Sequence, residues 1–284
     1  MTALQMHHAS PGLALAERGP WISAIWCSVS EVMRWSGLGA LASGATDDIA
    51  FMMRRVKTGG SLVLEGQAFE NLYLVGGGSF KCVQTDADGY EQVLAFAFHG
   101  DFIGLDGLGQ DRHCSGAVAL SDCAVVTLPM AEVLALGRHL PVLETLVHRA
   151  AGIEVARRSD NQYLMAAPSS EVRVARFLLQ FARRQQGLGQ SARRFHMSMT
   201  RRDIGSYLGL AHETVSRVLT TLTREGFICV SNRDIELLDV VALTELQRLT
   251  RGRRASDRRA DIARQATVVA LNSAARCASG RAMQ

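Results

Sequence analysis

The sequence lacks the features that mark the common classes of enzyme and membrane protein. It has no phosphate-binding P-loop, no nucleophile elbow and no paired-carboxylate signature, so we expect no catalytic residues and no enzymatic activity. No run reaches the roughly 18 apolar residues of a membrane span, and the N-terminus has no basic segment followed by an apolar core. We therefore expect a cytoplasmic protein with no membrane partner.

The cysteines lack any recognisable spacing. None belongs to a C-x-x-C pair, and the distances along the chain are typical neither of a disulfide framework nor of a metal site. We expect all six to remain free thiols in a reducing compartment, with no bound metal. They are Cys27, Cys82, Cys114, Cys123, Cys229 and Cys277.

Lysine is missing from the C-terminal part of the chain, where arginine carries all the positive charge. Up to Ser170 there are 11 lysines and arginines against 17 acidic residues, a balance of −6. From Glu171 onward there are 20 arginines against 10 acidic residues, a balance of +10. The C-terminal part is therefore the part that would face a polyanion such as double-stranded DNA. An arginine-rich solvated surface is the alternative.

Short apolar runs separated by glycines fill the region from about residue 49 to residue 129. We predict a disordered N-terminus over residues 1–23 and a β domain over residues 24–135. The Asp86-Ala87-Asp88-Gly89 segment predicts a hairpin, because Asp-Gly tolerates the positive φ of a tight turn. Strands are predicted at residues 61–64, 72–75, 80–83, 93–96 and 124–128.

Residues 136–168 have the apolar spacing of a helix, which Pro168 ends or kinks. Its apolar seam is narrow and has polar breaks, which is typical of a dimerising coiled coil. The alternative is a helix that packs on its own β domain. The residues predicted for dimerisation are Leu143, Leu146, Ala150, Ile153 and Leu164.

Residues 169–246 predict a winged helix-turn-helix. Thr200 and Asp203 have the spacing of a helix capping box, and Gly209 supplies the sharp turn to a second helix. After Gly226, residues 227–230 and 234–238 predict two strands of a wing. The remaining residues, 247–284, form an arginine-rich tail that is either disordered or in non-specific contact with DNA.

The second helix of this motif, within His212–Arg224, has two chemically different faces on a 100° wheel. One face is an apolar stripe of Val215, Val218, Leu219 and Leu222, and the opposite face is polar. A polar face of this kind can enter the major groove, where arginine donates to guanine and a carboxylate accepts from cytosine. An ordinary solvated helix is the alternative. The predicted DNA-binding residues are Thr200, Arg201, His212, Glu213, Thr214, Ser216, Arg217 and Thr220.

One residue of this helix departs from local rules. Ala211 stands at the N-cap, where alanine costs on the order of 1 kcal/mol relative to serine or threonine. The carboxylate of Glu213 in the first turn offsets part of that cost through the helix dipole.

The order of β domain, long helix and winged helix-turn-helix resembles the CRP/FNR family of bacterial regulators. The segments Met199–Leu210 and Glu213–Arg217 look like its FNR branch, and Glu213, Ser216 and Arg217 match the pattern E-x-x-S-R. The resemblance covers about residues 27–246. It implies an α+β fold with a cyclic-nucleotide-binding-like β-roll as sensor. It also implies a homodimer that binds an inverted repeat resembling TTGA-N6-TCAA and contacts RNA polymerase.

The sensor part departs from its relatives at the residues that would hold a cofactor. Near Cys27, the other cysteine positions of the FNR cluster hold Ala24 and Met33, and Val126 stands in place of the distant fourth ligand. We therefore expect no iron–sulfur cluster, which usually needs four thiolates.

Cyclic AMP is expected to be absent as well. The resemblance puts its pocket at residues 102–108 and at an Arg-Ser pair, but this chain has Cys114-Ser115 instead. Leu105 also replaces an expected ribose-binding glutamate. Without the arginine, the phosphate loses its bidentate partner. The neighbouring Arg112 is an alternative cation.

A regulator whose β-roll senses a redox signal, a metal or haem is a second interpretation. Its ligands would come from His99, His113, Cys114 and Cys123, although their spacing follows no common metal pattern. Buried cysteines in β domains are more often small apolar core residues.

Overall fold

The computed structural model describes residues 25–39 and 47–247. The predicted disordered N-terminus, and the predicted tail from residue 248 on, lie outside the described residues. The elements are, in order, β1 (Ile25–Ser28), α1 (Val29–Trp35), β2 (Ala50–Val56), β3 (Ser61–Val63), β4 (Asn71–Gly77), β5 (Phe80–Thr85), β6 (Glu91–Ala97), β7 (Phe102–Ile103), β8 (Gly116–Ala119), β9 (Cys123–Pro129), α2 (Met130–Gly137), α3 (Pro141–Met165), α4 (Ser170–Gly187), β10 (Arg194–His196), α5 (Arg201–Leu208), α6 (His212–Arg224), β11 (Ile228–Ser231), β12 (Asp234–Leu237) and α7 (Val240–Gln247).

The chain divides into two compact units. Of the described residues, the first contains 25–39, 47–80 and 97–151, and the second contains 81–96 and 152–247. In the first unit the strands form a five-stranded sheet in the order β1-β2-β9-β4-β7, and β3 pairs with β8. In the second unit β5 and β6 are neighbours, and β10-β12-β11 form a three-stranded sheet. All five strands predicted in the β domain are present, as β3, β4, β5, β6 and β9.

The core of the first unit forms between the five-stranded sheet and helices α1, α2 and α3. Ser28 begins α1 through a capping box with Glu31, and this helix buries Val29, Val32 and Met33. The sheet contributes Phe51, Leu72, Leu74, Val126 and Leu128 to the same cluster. The helix α1 has no counterpart among the sequence predictions.

The β5–β6 hairpin closes as predicted at Asp86–Gly89. Gly89 adopts a φ of 79°, and Oδ1 of Asp86 accepts bonds from the backbone N–H groups of Asp88 (3.0 Å) and Tyr90 (2.9 Å). Residues Lys81–Phe96 of this hairpin belong to the second unit.

Helix α3 begins at Pro141 and runs for 25 residues. Leu143 and Leu146 belong to the core cluster of the first unit, so the sequence-based dimer seam needs correction. These two side chains stabilise a single chain and are not available to a partner helix. Ala150 and Leu164 are also buried within one chain, and of the five predicted seam residues only Ile153 is exposed, at 41%.

The second unit contains the helix-turn-helix and its wing. Ser169 caps α4 by accepting a bond from the backbone N–H of Val172. Strand β12 lies between β10 and β11, so the predicted two-stranded wing has a third strand at Arg194–His196. The β-rich N-terminal part, the long helix and the C-terminal helix-turn-helix together confirm the α+β fold class. Within the two described ranges, every helix is too short or too polar to cross a lipid bilayer.

Candidate nucleic-acid interface

The first helix of the helix-turn-helix, α5, begins with the predicted capping box. The backbone N–H of Asp203 donates to Oγ1 of Thr200 (3.1 Å), and the backbone N–H of Thr200 donates to Oδ2 of Asp203 (2.9 Å). Asp203 is buried at 8% exposure. Its pKa would be raised by burial, but the hydrogen bonds from Thr200 and Lys81 hold it below the usual value. The start of α5 is therefore fixed by a shielded carboxylate.

Two glycines shape the turn between α5 and α6. Gly209 ends α5 in the left-handed region, with φ 61°, as the sequence predicts. Gly205 has no counterpart among the sequence predictions: a Cβ at this position would lie 2.6 Å from the carbonyl oxygen of Leu210. The backbone N–H of Leu210 donates to the carbonyl of Gly205 (2.8 Å), so the turn packs directly against the helix that precedes it.

The second helix, α6, has the two faces that the wheel predicts. Its buried side chains are Val215, Val218, Leu219 and Leu222, each at 4% exposure or less. Side chains on the other face are open to solvent, among them Glu213, Ser216, Arg217 and Thr220. The polar face therefore stays accessible while the apolar stripe anchors the helix.

Short contacts organise the polar face of α6. Nη2 of Arg217 donates to Oγ1 of Thr214 (3.2 Å), which orients the guanidinium. The hydroxyl of Thr220 donates to the carbonyl of Ser216 (3.0 Å) one turn earlier. At the N-terminus, Nε2 of His212 lies 3.2 Å from Oε1 of Glu213, and both side chains are exposed.

The missing cap of α6 is confirmed. Ala211 stands at the N-cap, and no side chain provides a cap hydrogen bond there. The acidic Glu213 lies in the first turn, where its charge favours the positive end of the helix dipole.

The wing tip supplies a basic residue that the sequence reasoning missed. Nη2 of Arg201 donates to the carbonyl of Asn232 (3.1 Å), and Nη1 of Arg233 donates to the carbonyl of Ser198 (3.2 Å). Asn232 has a positive φ of 55°, so the turn presents Arg233 next to the start of α5. Asn-Arg between two strands is the signal that identifies this turn in the sequence. Arg201 and Arg233 form one basic edge, suited to DNA phosphates.

Two arginines of α4 hold the carbonyl ends of neighbouring helices. Nη1 of Arg173 donates to the carbonyl of Leu208 (2.8 Å), in the last turn of α5. Arg176, only 8% exposed, donates to the carbonyls of Tyr163 (2.7 Å) and Gln247 (3.2 Å), near the ends of α3 and α7. Cations are favoured at helix C-termini, so both side chains stabilise the arrangement of helices around α4.

In the first unit, the segment that the resemblance associates with ligand binding has its own internal contacts. The hydroxyl of Ser115 donates to Oδ2 of Asp106 (2.8 Å), and Nδ1 of His113 lies 3.7 Å from Oδ1 of the same carboxylate. The thiol of Cys114 lies 3.5 Å from Oε1 of Gln110. Arg112, the alternative cation, is exposed and donates to the carbonyl of Gly66 (2.8 Å).

The residues named for a metal or haem sensor each have separate local partners. Nδ1 of His99 lies 2.9 Å from the carbonyl oxygen of Gly76, and the thiol of Cys123 lies 3.1 Å from the carbonyl of Ser121. Across the described ranges, no group of three or more histidine, cysteine or acidic side chains has the geometry to hold a metal ion. Cys27 is fully buried, and burial followed by the charge of Glu31 raises its pKa to about 12.

Two domain families match the chain, one over the β-rich N-terminal part and one over the helix-turn-helix. Residues 53–139 match the cyclic nucleotide-binding domain, and residues 172–246 match the Crp-like helix-turn-helix domain. The second match contains α5, α6 and the wing.

Relatives match most of this chain and most of their own length. The chain is 33% identical over 220 residues to the transcriptional regulatory protein btr of Bordetella pertussis, covering 78% of this chain and 91% of the relative. It is 31% identical to the fumarate and nitrate reduction regulatory protein of Escherichia coli, covering 79% and 90%. The structure of FixK2 from Bradyrhizobium japonicum superposes with a TM-score of 0.64 at 27% identity, covering 71% of this chain and all of that one. The chain therefore belongs to the CRP/FNR family of DNA-binding transcription regulators.

Proposed function

We propose that this regulator binds, as a homodimer, an inverted repeat of TTGA and TCAA and contacts RNA polymerase in the cytoplasm. The observation that supports the operator sequence is the open face of α6. Glu213, Ser216 and Arg217 are exposed there, while Val215 and Val218 on the opposite face are buried. A relative carries the name transcriptional activator protein Anr, from Pseudomonas protegens, which favours a contact with RNA polymerase here.

The single G·C pair of TTGA gives Arg217 and Glu213 one common target. A guanidinium donates two bonds to guanine O6 and N7, and a carboxylate accepts from the N4 amino group of cytosine. Both side chains lie near the N-terminal half of the recognition helix, where major-groove helices contact base edges. The adjacent Ser216 adds a hydroxyl that bonds flexibly to a neighbouring base.

The proposed dimer uses the exposed middle of α3. Between Gly152 and Tyr163 no side chain is buried within one chain. Ile153, Ala156 and Tyr163 follow the three-and-four spacing of a coiled-coil seam, with Asp160 between them. Of these residues, only Ile153 belongs to the sequence-based prediction. The seam lies on the same helix, α3, whose N-terminal half is anchored in the core through Leu146.

We also propose that DNA binding needs neither a cyclic nucleotide nor an iron–sulfur cluster. The residues present do not fit a cyclic phosphate, because Asp106 holds the hydroxyl of Ser115 and adds a negative charge beside Cys114. Arg112 is engaged with a backbone carbonyl instead. An iron–sulfur cluster usually needs four thiolates, and Cys27 has Ala24, Met33 and Val126 where the resemblance puts the other ligands.

The test is operator binding by the purified full-length chain. We expect it to bind a TTGA/TCAA duplex in air with no added ligand, and to bind a duplex with both half-sites scrambled far more weakly. Cyclic AMP should change the affinity less than about twofold, and anaerobic treatment with iron and sulfide should not be required. A large gain with cyclic AMP would contradict the pocket argument. Binding that appears only after cluster reconstitution would contradict the argument from Cys27.

Salt should weaken binding steeply, because arginines that neutralise phosphates release counterions. For six or more phosphate contacts per dimer, affinity should fall by roughly a thousandfold between about 50 and 200 mM salt. Arg233→Ala should reduce the slope of log affinity against log salt by about one per protomer. Arg138→Ala, an exposed arginine of the first unit, is the control and should leave the slope unchanged. An unchanged slope in Arg233→Ala would remove the wing tip from the phosphate contacts.

A further inference from the structure

The β5–β6 hairpin packs against the first helix of the helix-turn-helix, within the second unit. Residues 81–96 lie inside the segment that matches the cyclic nucleotide-binding domain, whereas α5 lies inside the match to the Crp-like helix-turn-helix domain. The contacts between them therefore join the sensing part of the sequence to the DNA-reading part.

Ser206 of α5 makes the central contact. Its side chain is buried, and its hydroxyl accepts a bond from the backbone N–H of Val93 (2.8 Å) and donates to the carbonyl of Glu91 (3.0 Å). The side-chain amide of Gln92 donates to the backbone carbonyl of Ser206. Serine has a short side chain with one donor, so these bonds fix the distance between α5 and residues 91–93 closely.

Lys81 makes a second contact at the other end of α5. Its Nζ lies 3.1 Å from Oδ1 of Asp203 and 3.3 Å from Oε2 of Glu91. The side chains of Lys81 and Asp203 are only 18% and 11% exposed, so water and salt screen this pair less than a surface pair. Asp203 is also the capping residue of α5, and Lys81 therefore holds the carboxylate that fixes the start of the helix.

Resting on the proposed function, we propose that the β5–β6 hairpin positions α5 for operator binding, with Ser206 and Lys81 as positioning residues. α5 carries Thr200 and Arg201 at its start and packs through Gly205 against the turn that leads into α6. A displacement of α5 therefore moves the basic edge and the recognition helix together. A signal that moves residues 81–96 would change affinity for the operator through these contacts, because interfaces of this kind shift between discrete arrangements.

The chain offers a matched control, because Lys57 and Lys81 are its only lysines. Lys57 also pairs with an aspartate: its Nζ lies 2.7 Å from Oδ2 of Asp122, in the first unit. Both partners of that pair are largely exposed, at 85% and 62%. Lys81→Met and Lys57→Met remove the same charge, with the pairs to Asp203 and Glu91 lost in the first and the pair to Asp122 lost in the second, but only Lys81→Met loosens α5.

The experiment measures two quantities on full-length variants: amide hydrogen exchange of residues 201–208, and the ratio of affinities for the operator and for scrambled DNA. Lys81→Met and Ser206→Ala should each raise the exchange of α5 by about tenfold and lower the ratio by about fivefold. Lys57→Met should change neither the exchange of α5 nor the affinity ratio by more than about twofold. Lys81→Arg keeps the positive charge, so both quantities should stay close to their native values. A variant that only destabilised the whole fold would weaken binding to the operator and to scrambled DNA equally, and the ratio would not change.

Equal effects of Lys81→Met and Lys57→Met on both measurements would overturn the proposal. So would unchanged exchange of α5 in Ser206→Ala together with a normal affinity ratio. If the native chain fails to bind the TTGA/TCAA duplex at all, the proposed operator is wrong. The exchange of α5 in Lys81→Met and Ser206→Ala then decides by itself whether the hairpin holds this helix. Because Lys81 is partly exposed, its variants remain usable even if Ser206→Ala folds poorly.

Discussion

Replacing Arg217 by alanine is expected to weaken binding to the TTGA/TCAA operator by roughly 1–3 kcal/mol per half-site, the value of one bidentate contact to guanine. Binding to scrambled DNA should change far less. The reason is the position of Arg217 on the exposed face of α6, where its contact with Thr214 orients the guanidinium before DNA arrives. A side chain that is already oriented loses less rotamer freedom on binding.

A change in the G·C pair of TTGA tests the role of Arg217 more directly. With the native protein, changing TTGA to TTAA in both half-sites should cost a similar amount. With Arg217→Ala, the same DNA change should cost little, because the protein group that reads guanine is already gone. Affinities for the four combinations of protein and DNA give the coupling energy directly.

Arg138→Ala controls for the loss of one positive charge, since Arg138 is exposed but belongs to the first unit. It should weaken binding to both DNA sequences slightly and equally. If Arg217→Ala does the same, the guanidinium contacts phosphate and does not read the base. Additive costs in the four combinations would lead to the same conclusion.

The helix-turn-helix could be predicted from sequence because its signals are local. The capping box of Thr200 and Asp203 and the turn at Gly209 depend on residues no more than a few positions apart. The same holds for the apolar stripe of α6 and for the hairpin turn at Gly89. Each rests on backbone geometry or helical periodicity within one segment, and each is present in the structure.

Long-range contacts could not be predicted in the same way. Arg173 reaches the carbonyl of Leu208, 35 residues later, and Lys81 reaches Asp203 across 122 residues. Strand β10 joins the wing only by pairing with β12, which lies far along the chain. A three-residue strand has too few positions to show a periodicity, so nothing in its own sequence distinguishes it from a loop.

The dimer seam illustrates how periodicity can be read correctly and assigned to the wrong partner. Leu143 and Leu146 have helical spacing, and they are apolar because they pack into the core of their own unit. A helical stripe in a sequence indicates that something covers it, but not what does. Burial within one chain distinguishes a stripe covered by its own core from a stripe left for a partner helix. By this measure Ile153 is the one exposed residue of the predicted set.

Ile153→Glu is expected to convert the protein into monomers and to reduce operator affinity by roughly a hundredfold to ten-thousandfold. Symmetry places two such carboxylates in one seam, where they would lose solvent and repel each other. A monomer binds one half-site at a time and loses the effective concentration that the second half-site provides. The helix itself should persist, because a glutamate at 153 pairs favourably with Arg157 one turn later. Sedimentation and operator titration measure both effects.

Val155→Glu is the matched control for this prediction. Val155 is also apolar and is 65% exposed, and two residues of helix place it about 200° around α3 from Ile153. It should therefore stay dimeric and bind the operator normally, although it introduces the same charge into the same helix. If Ile153→Glu still sediments as a dimer with native affinity, the seam through Ile153, Ala156 and Tyr163 is wrong. If both variants become monomers, the partner chain contacts a broader surface of α3 than a single seam. Charges on opposite sides of the helix could disrupt the dimer equally only in that case.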